Sequence, residues 1–128
     1  MRAKDCASGV RAGRLAKAEQ FWLVAQDSLD LADEAEDVGD ACATLLVHAG
    51  IAAADVICCA RLGVHALGEN HKEAIALLKS ADQESERHLA ALLKMKTRAG
   101  YAHTSISRDD LKKATRAAEA LLTTARSM

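Results

Sequence analysis

The chain has 128 residues and not one proline. Proline both removes a backbone donor and clashes with the preceding helical turn, so its absence leaves nothing to interrupt a helical ladder. Half of the residues are apolar, weighted to Ala, Leu and Val, with one Phe, one Trp and one Tyr. Alanine and leucine are strong helix formers, whereas strands draw on β-branched and aromatic residues. The sequence therefore predicts an all-α fold, an up-and-down bundle of four to five helices. A domain of this length buries roughly two-thirds of its unfolded surface. No repeat, low-complexity tract or linker divides residues 1–128, so one helical domain is expected, with residues 1–10 as a flexible N-terminal arm.

Periodicity and caps place the helices. Leu15, Phe21, Trp22, Ala25, Leu29, Ala32 and Ala35 recur at three- and four-residue steps and predict a first helix from about Arg11 to Asp37, ending at Gly39. Phe21, Trp22 and Leu29 read as core or subunit contact. Asp40 is positioned to cap a second helix running from Ala41 to Leu67 and closed by Gly68. That helix is apolar nearly all round, which predicts the buried centre of the bundle. His48 and Asp55 interrupt it, seven positions apart and hence on one face. A buried carboxylate needs a partner, and Arg98 is a candidate. Asn70 and Glu73 resemble a capping box opening a third helix at Lys72, and a fourth is expected over Glu86–Ala102. Ser107 and Asp110 then cap a fifth, with Leu111, Ala114, Ala118 and Leu121 on its buried face.

The net charge of −1 hides an asymmetry. Residues 19–40 carry eight acids and no Lys or Arg, whereas residues 86–128 carry nine Lys or Arg against four acids. Either solvated helix faces simply differ in sign, or the basic third faces an anion while the acidic helix lies elsewhere. No apolar run reaches the roughly 18 residues of a membrane span, so no membrane association is expected. The basic start, Met1–Lys17, lacks the apolar core of a signal peptide. Cys6, Cys42, Cys58 and Cys59 show no metal-ligand spacing, so the cysteines are expected as reduced, small core fillers in a cytoplasmic protein.

Several chemistries are excluded by pattern. No Glu has a His three residues later, as the ligand pairs of a di-iron bundle require. There is no Gly-rich phosphate loop, Ser-His-Asp arrangement or zinc spacing, so neither metal nor cofactor is expected. His65, His71 and His88 read as surface or capping residues. What remains is Lys94-Met95-Lys96-Thr97-Arg98-Ala99-Gly100-Tyr101-Ala102-His103. Arg98 presents a permanent charge on a planar fork suited to phosphate, and His103 exchanges a proton near neutral pH. In metal-free RNA cleavage a histidine takes the 2′-hydroxyl proton and an arginine holds the phosphate oxygens. Five helical positions set the two side chains about 140° apart, so a shared site requires the helix to end near Gly100. The alternative is that Arg98 pairs with a carboxylate and His103 terminates the helix.

The run from His71 to Arg126 resembles the HEPN superfamily of helical proteins. The likeness rests on Ala74-Ile75-Ala76-Leu77-Leu78, on Lys96-Thr97-Arg98-Ala99-Gly100-Tyr101, and on the Ser-capped last helix. The resemblance implies a homodimer in which the Arg-x4-6-His segments of two copies share a cleft. It also implies a metal-independent endoribonuclease, often a toxin paired with a nucleotidyltransferase, or else a binding relative lacking the chemistry. Carried over by position, Arg98 contacts phosphate and His103 transfers a proton. Tyr101 then positions or stacks, and Lys94 and Lys96 attract the RNA backbone, with Asp55 and His48 as further support. Active relatives commonly place a polar residue after the arginine, whereas this chain has Ala99. The two expectations are thus an RNA- or nucleotide-binding protein with endoribonuclease capacity, and a non-catalytic module that docks a partner such as a nucleotidyltransferase. In the second, the acidic first helix with Phe21 and Trp22 is the docking surface.

Overall fold

A computed structural model describes residues 3–68 and 70–128. Among these residues lie five α-helices and one two-stranded ribbon: β1 (Ala3–Asp5), α1 (Val10–Leu31), α2 (Gly39–Leu62), β2 (Val64–Ala66), α3 (His71–Ala81), α4 (Glu86–Gly100) and α5 (Arg108–Arg126). Single 3-10 turns at Ala35–Asp37 and Gln83–Ser85 link α1 to α2 and α3 to α4. The architecture is an all-α bundle. α2 is its centre, packed by α1, α4 and α5, with α3 and β2 at one end. From Ala52 to Cys59 every residue of α2 is buried, Asp55 included. α2 is also long and apolar enough to cross a membrane by length and composition, contrary to the sequence expectation, yet most of it lies inside the bundle.

The caps form as the sequence predicts. The Asn70 side chain accepts from the Glu73 N–H at 3.0 Å, and Ser107 Oγ accepts from the Asp110 N–H at 3.0 Å. Asp40 differs: it sits inside the first turn of α2, and its Oδ1 accepts the Ile106 N–H at 2.9 Å, anchoring the loop before α5. α1 stops at Leu31 rather than continuing to Asp37, because Ala32 turns to extended backbone. α2 stops at Leu62, five residues short of the expected end. Gly63 takes a left-handed conformation (φ 73°) there, which glycine adopts without the Cβ penalty, and the chain turns into β2.

That early turn overturns two expectations. β2 pairs antiparallel with β1, Lys4 opposite His65, so Ala3–Asp5, within the segment expected as a flexible arm, are a strand laid on the bundle, while residues 1 and 2 lie outside the described residues. It also brings Cys6 beside the last turn of α2, where Cys6 and Cys59 form a disulfide with Cα atoms 5.7 Å apart. Their 53-residue separation hid the pair in the sequence. Cys42 and Cys58 are the buried free thiols that were expected of all four. The reduced-thiol premise for a cytoplasmic placement therefore does not hold for Cys6 and Cys59.

Core packing is tight where small residues meet leucines. Leu46, Ile57, Leu78, Leu89, Leu92, Leu121 and Leu122 are the largest fully buried side chains, each contributing roughly 1.5–3 kcal/mol by burial. A Cβ at Gly50 would overlap Leu92 Cδ1 and lie 3.3 Å from Leu121 Cδ1, both fully buried, so α4 and α5 approach α2 closely only because that position is glycine. A Cβ at Gly13, in α1, meets nothing within 4 Å. Gly13→Ala should therefore gain about 0.5–1 kcal/mol from helix propensity, whereas Gly50→Ala should lose about 1–2 kcal/mol net through overpacking. Opposite shifts of the urea midpoint are the check. Cys6→Ser, by opening a 53-residue loop, should cost about 2–4 kcal/mol. Dithiothreitol should bring the parent down to the same midpoint, and an unchanged midpoint in reductant would refute the cross-link's role.

Candidate functional sites

The residues singled out in the sequence are split among three places. Lys94 and Arg98, one helical turn apart on α4, line a groove of about 270 Å³ between α4 and α5. Met95, Ile106, Asp110 and Lys113 complete its walls. Lys96, two positions from each, lies on another face, in a small cleft against α2 with Gly100, Tyr101 and His48. Tyr101 is 81% exposed, and His48 is exposed while its ring lies 5.4 Å from that of Phe21. His103 stands exposed in the loop after α4 and lines neither cleft among the described residues. α4 does end at Gly100, the condition that the Arg98–His103 spacing required. Within one copy, however, the groove that holds Arg98 is lined by cations and one acid, not by His103.

The charge asymmetry resolves into internal pairing plus a remainder. Arg108 pairs with Glu34 at 3.2 Å and with Glu36, and Arg126 donates to Glu19 at 2.9 Å. The Arg126 hydrogen bond is also what lowers the Glu19 carboxyl below its ordinary value. The acidic segment thus sits against the basic helix α5 instead of lying elsewhere. Lys94, Arg98 and Lys113 form no ion pair among the described residues. Of the cations left over in the basic third these three share one groove, whereas Lys96 lines the cleft against α2, and Lys112 and Arg116 line a third hollow with Leu29 and Ala35.

Asp55 is buried, as its position on α2 implied, but its partner is Arg14 and not Arg98. Arg14 Nε lies 3.4 Å from Asp55 Oδ2. Arg14 is 17 positions before the end of α1 and Asp55 is 16 after the start of α2, so antiparallel packing across the short link sets them level. Together with His65, His71, Lys4 and Cys58 they line a second cavity, of about 390 Å³. His65, expected as a surface or capping residue, is 8% exposed because β2 folds it inward, and its Nδ1 lies 3.0 Å from the Ala66 carbonyl. Sequence inspection missed this cluster because its members come from β1, α1, α2, β2 and α3. The available signal was Asp55 itself, a carboxylate in an apolar helix.

Burial raises the Asp55 carboxyl above its ordinary value, opposed first by the Arg14 charge and then by His65. Burial, reinforced by Asp55, pushes the Cys58 thiol up to about 12, so at neutral pH it is a protonated thiol and no nucleophile. No group of three or more His, Cys, Asp or Glu among the described residues is arranged to hold a metal ion. No protein-family model matches this chain, and no curated protein matches it.

The raised Asp55 carboxyl has a stability consequence. The folded chain keeps that proton to higher pH than the unfolded chain, so the group favours folding below about pH 4 and loses that contribution as pH rises through its folded pKa. Relative to the parent, Asp55→Asn should therefore gain stability as pH rises from about 4 through the folded pKa of Asp55. Paired urea midpoints across that range are the measurement, and a constant difference would refute it.

Proposed function

We propose that the chain is an RNA-binding helical protein of HEPN-like character, acting as a homodimer, that holds backbone phosphate along the α4–α5 groove. The observation that carries this reading is the convergence of Lys94, Arg98 and Lys113 on one groove without acidic ion-pair partners, while Arg108 and Arg126 are paired within the fold. Arg98 supplies the planar fork for phosphate oxygens, and the two lysines act as point charges. The exposed Tyr101, beyond the end of α4, offers a ring on which an unstacked base can lie. Cleavage needs a proton-transfer group at the bound phosphate. His103 supplies it where the loops of two copies meet, which is the arrangement that the resemblance implies.

Binding of single-stranded RNA should weaken with salt, with a log–log slope of about −2 for three phosphate contacts. Arg98→Ala should reduce that slope by about 0.7. Lys94→Ala, Arg98→Ala and Lys113→Ala combined should abolish binding while helicity is retained. Salt-independent binding, or full binding by the triple variant, refutes the groove. The same RNA in excess EDTA distinguishes the two forms of the reading. Cleavage by the parent that His103→Ala loses makes it a metal-independent endoribonuclease, and intact RNA makes it a binding protein.

A further inference from the structure

The cavity bounded by Arg14, Asp55 and His65 has the composition of a small-molecule site: apolar walls with a few convergent polar groups. At about 390 Å³ it falls within the roughly 300–1,000 Å³ of such pockets. Ile51, Leu89 and Leu93 supply apolar wall, while Lys4 and Arg14 bring two cations close to one carboxylate. The Arg14–Asp55 contact is loose. At 3.4 Å it exceeds the roughly 2.7–2.9 Å of a charge-assisted hydrogen bond, and neither Asp55 oxygen accepts a hydrogen bond from a side chain among the described residues. A carboxylate with little access to water retains capacity for several hydrogen bonds, which only a donor inside the cavity can meet. His65 adds an acceptor. With Nδ1 turned to the Ala66 carbonyl, the neutral ring leaves Nε2 to accept.

Two opposite protein charges lying side by side fit a ligand whose own opposite charges are also adjacent. We propose that this cavity binds a free α-amino acid with an apolar side chain. The ammonium donates to Asp55 and to His65 Nε2, the carboxylate receives Arg14 and Lys4, and the side chain packs on Ile51, Leu89 and Leu93. A simple organic cation would leave Arg14 and Lys4 unmatched and would be repelled by them. A simple carboxylate would face Asp55. Only the amphoteric pair complements both. Lys4 reaches the site because β1 is hydrogen-bonded to β2 and tied to α2 through Cys6–Cys59, so the strap belongs to the site as well as to the fold. This site stands apart from the α4–α5 groove and does not depend on the RNA reading.

The test is isothermal titration of the oxidised 128-residue chain with L-leucine and L-phenylalanine, beside L-leucinamide, which lacks the carboxylate, and N-acetyl-L-leucine, which lacks the ammonium. The expected result is binding of at least one free amino acid with a Kd of about 1 mM or tighter, and loss of about tenfold or more for both analogues. Arg14→Gln, at a half-exposed side chain that leaves the core intact, should weaken binding about tenfold, as should Asp55→Asn. Lys94→Ala with Arg98→Ala should leave it unchanged. No heat with either amino acid, or analogues that bind as well as L-leucine, would overturn the proposal. Because the analogue comparison uses the unaltered chain, it decides the matter even where a variant does not fold.

Discussion

The close approach of α4 and α5 to α2 is the constraint on which the rest of the molecule depends. α2 carries a long buried run of small residues and offers Gly50 where Leu92 and Leu121 press in. A side chain at that point would hold the helices apart, and the leucine layer around it would lose contact. Three helices thus share one central rod, each burying its apolar stripe against the same surface. Interior density of this kind is set by shape, so the alanines that give the chain its bland composition are what let large residues interdigitate.

Once α2 is central, the polar groups have few places to go. The acidic stretch before and within the α1–α2 link meets α5, where Glu34 and Glu36 take Arg108 and Glu19 takes Arg126. These pairs are exposed and contribute little individually, but they absorb charge that would otherwise project an extended field. Of the cations left without an ion pair, Lys94, Arg98 and Lys113 share one groove, while Lys96, Lys112 and Arg116 lie on other faces. Asp55, by contrast, is carried inside by its own helix and lies beside Arg14, His65 and the β1 strap. One fold thereby separates a cationic groove on α4 and α5 from a cavity of mixed charge under the β1 strap.

Much of the fold was legible in the sequence because helix formation is local. Caps such as Asn70–Glu73 and Ser107–Asp110 act over three residues, and the apolar stripes of α4 and α5 recur within a turn or two. The end of α2 was not legible. Both Gly63 and Gly68 are reasonable stop signals, and the choice between them is made by pairing of β2 with β1, some 60 residues away in the chain. The disulfide was hidden for the same reason. Of the candidate site, Lys94 and Arg98 share a face as their spacing requires, and Lys96 falls on another by the same rule. The partner of Asp55 was missed because the charge pattern drew attention to the basic C-terminal third, whereas α1 lies level with Asp55 by simple antiparallel register.

The amino-acid sequence by itself determined the all-α class, the caps and the identity of the central helix. Each depends on backbone propensity or on periodicity within a few residues. Only the tertiary structure decided which charges cancel, which cysteines bond and which side chains share a cavity. Those outcomes depend on distances between residues far apart in the chain, and they exist only once the helices have packed.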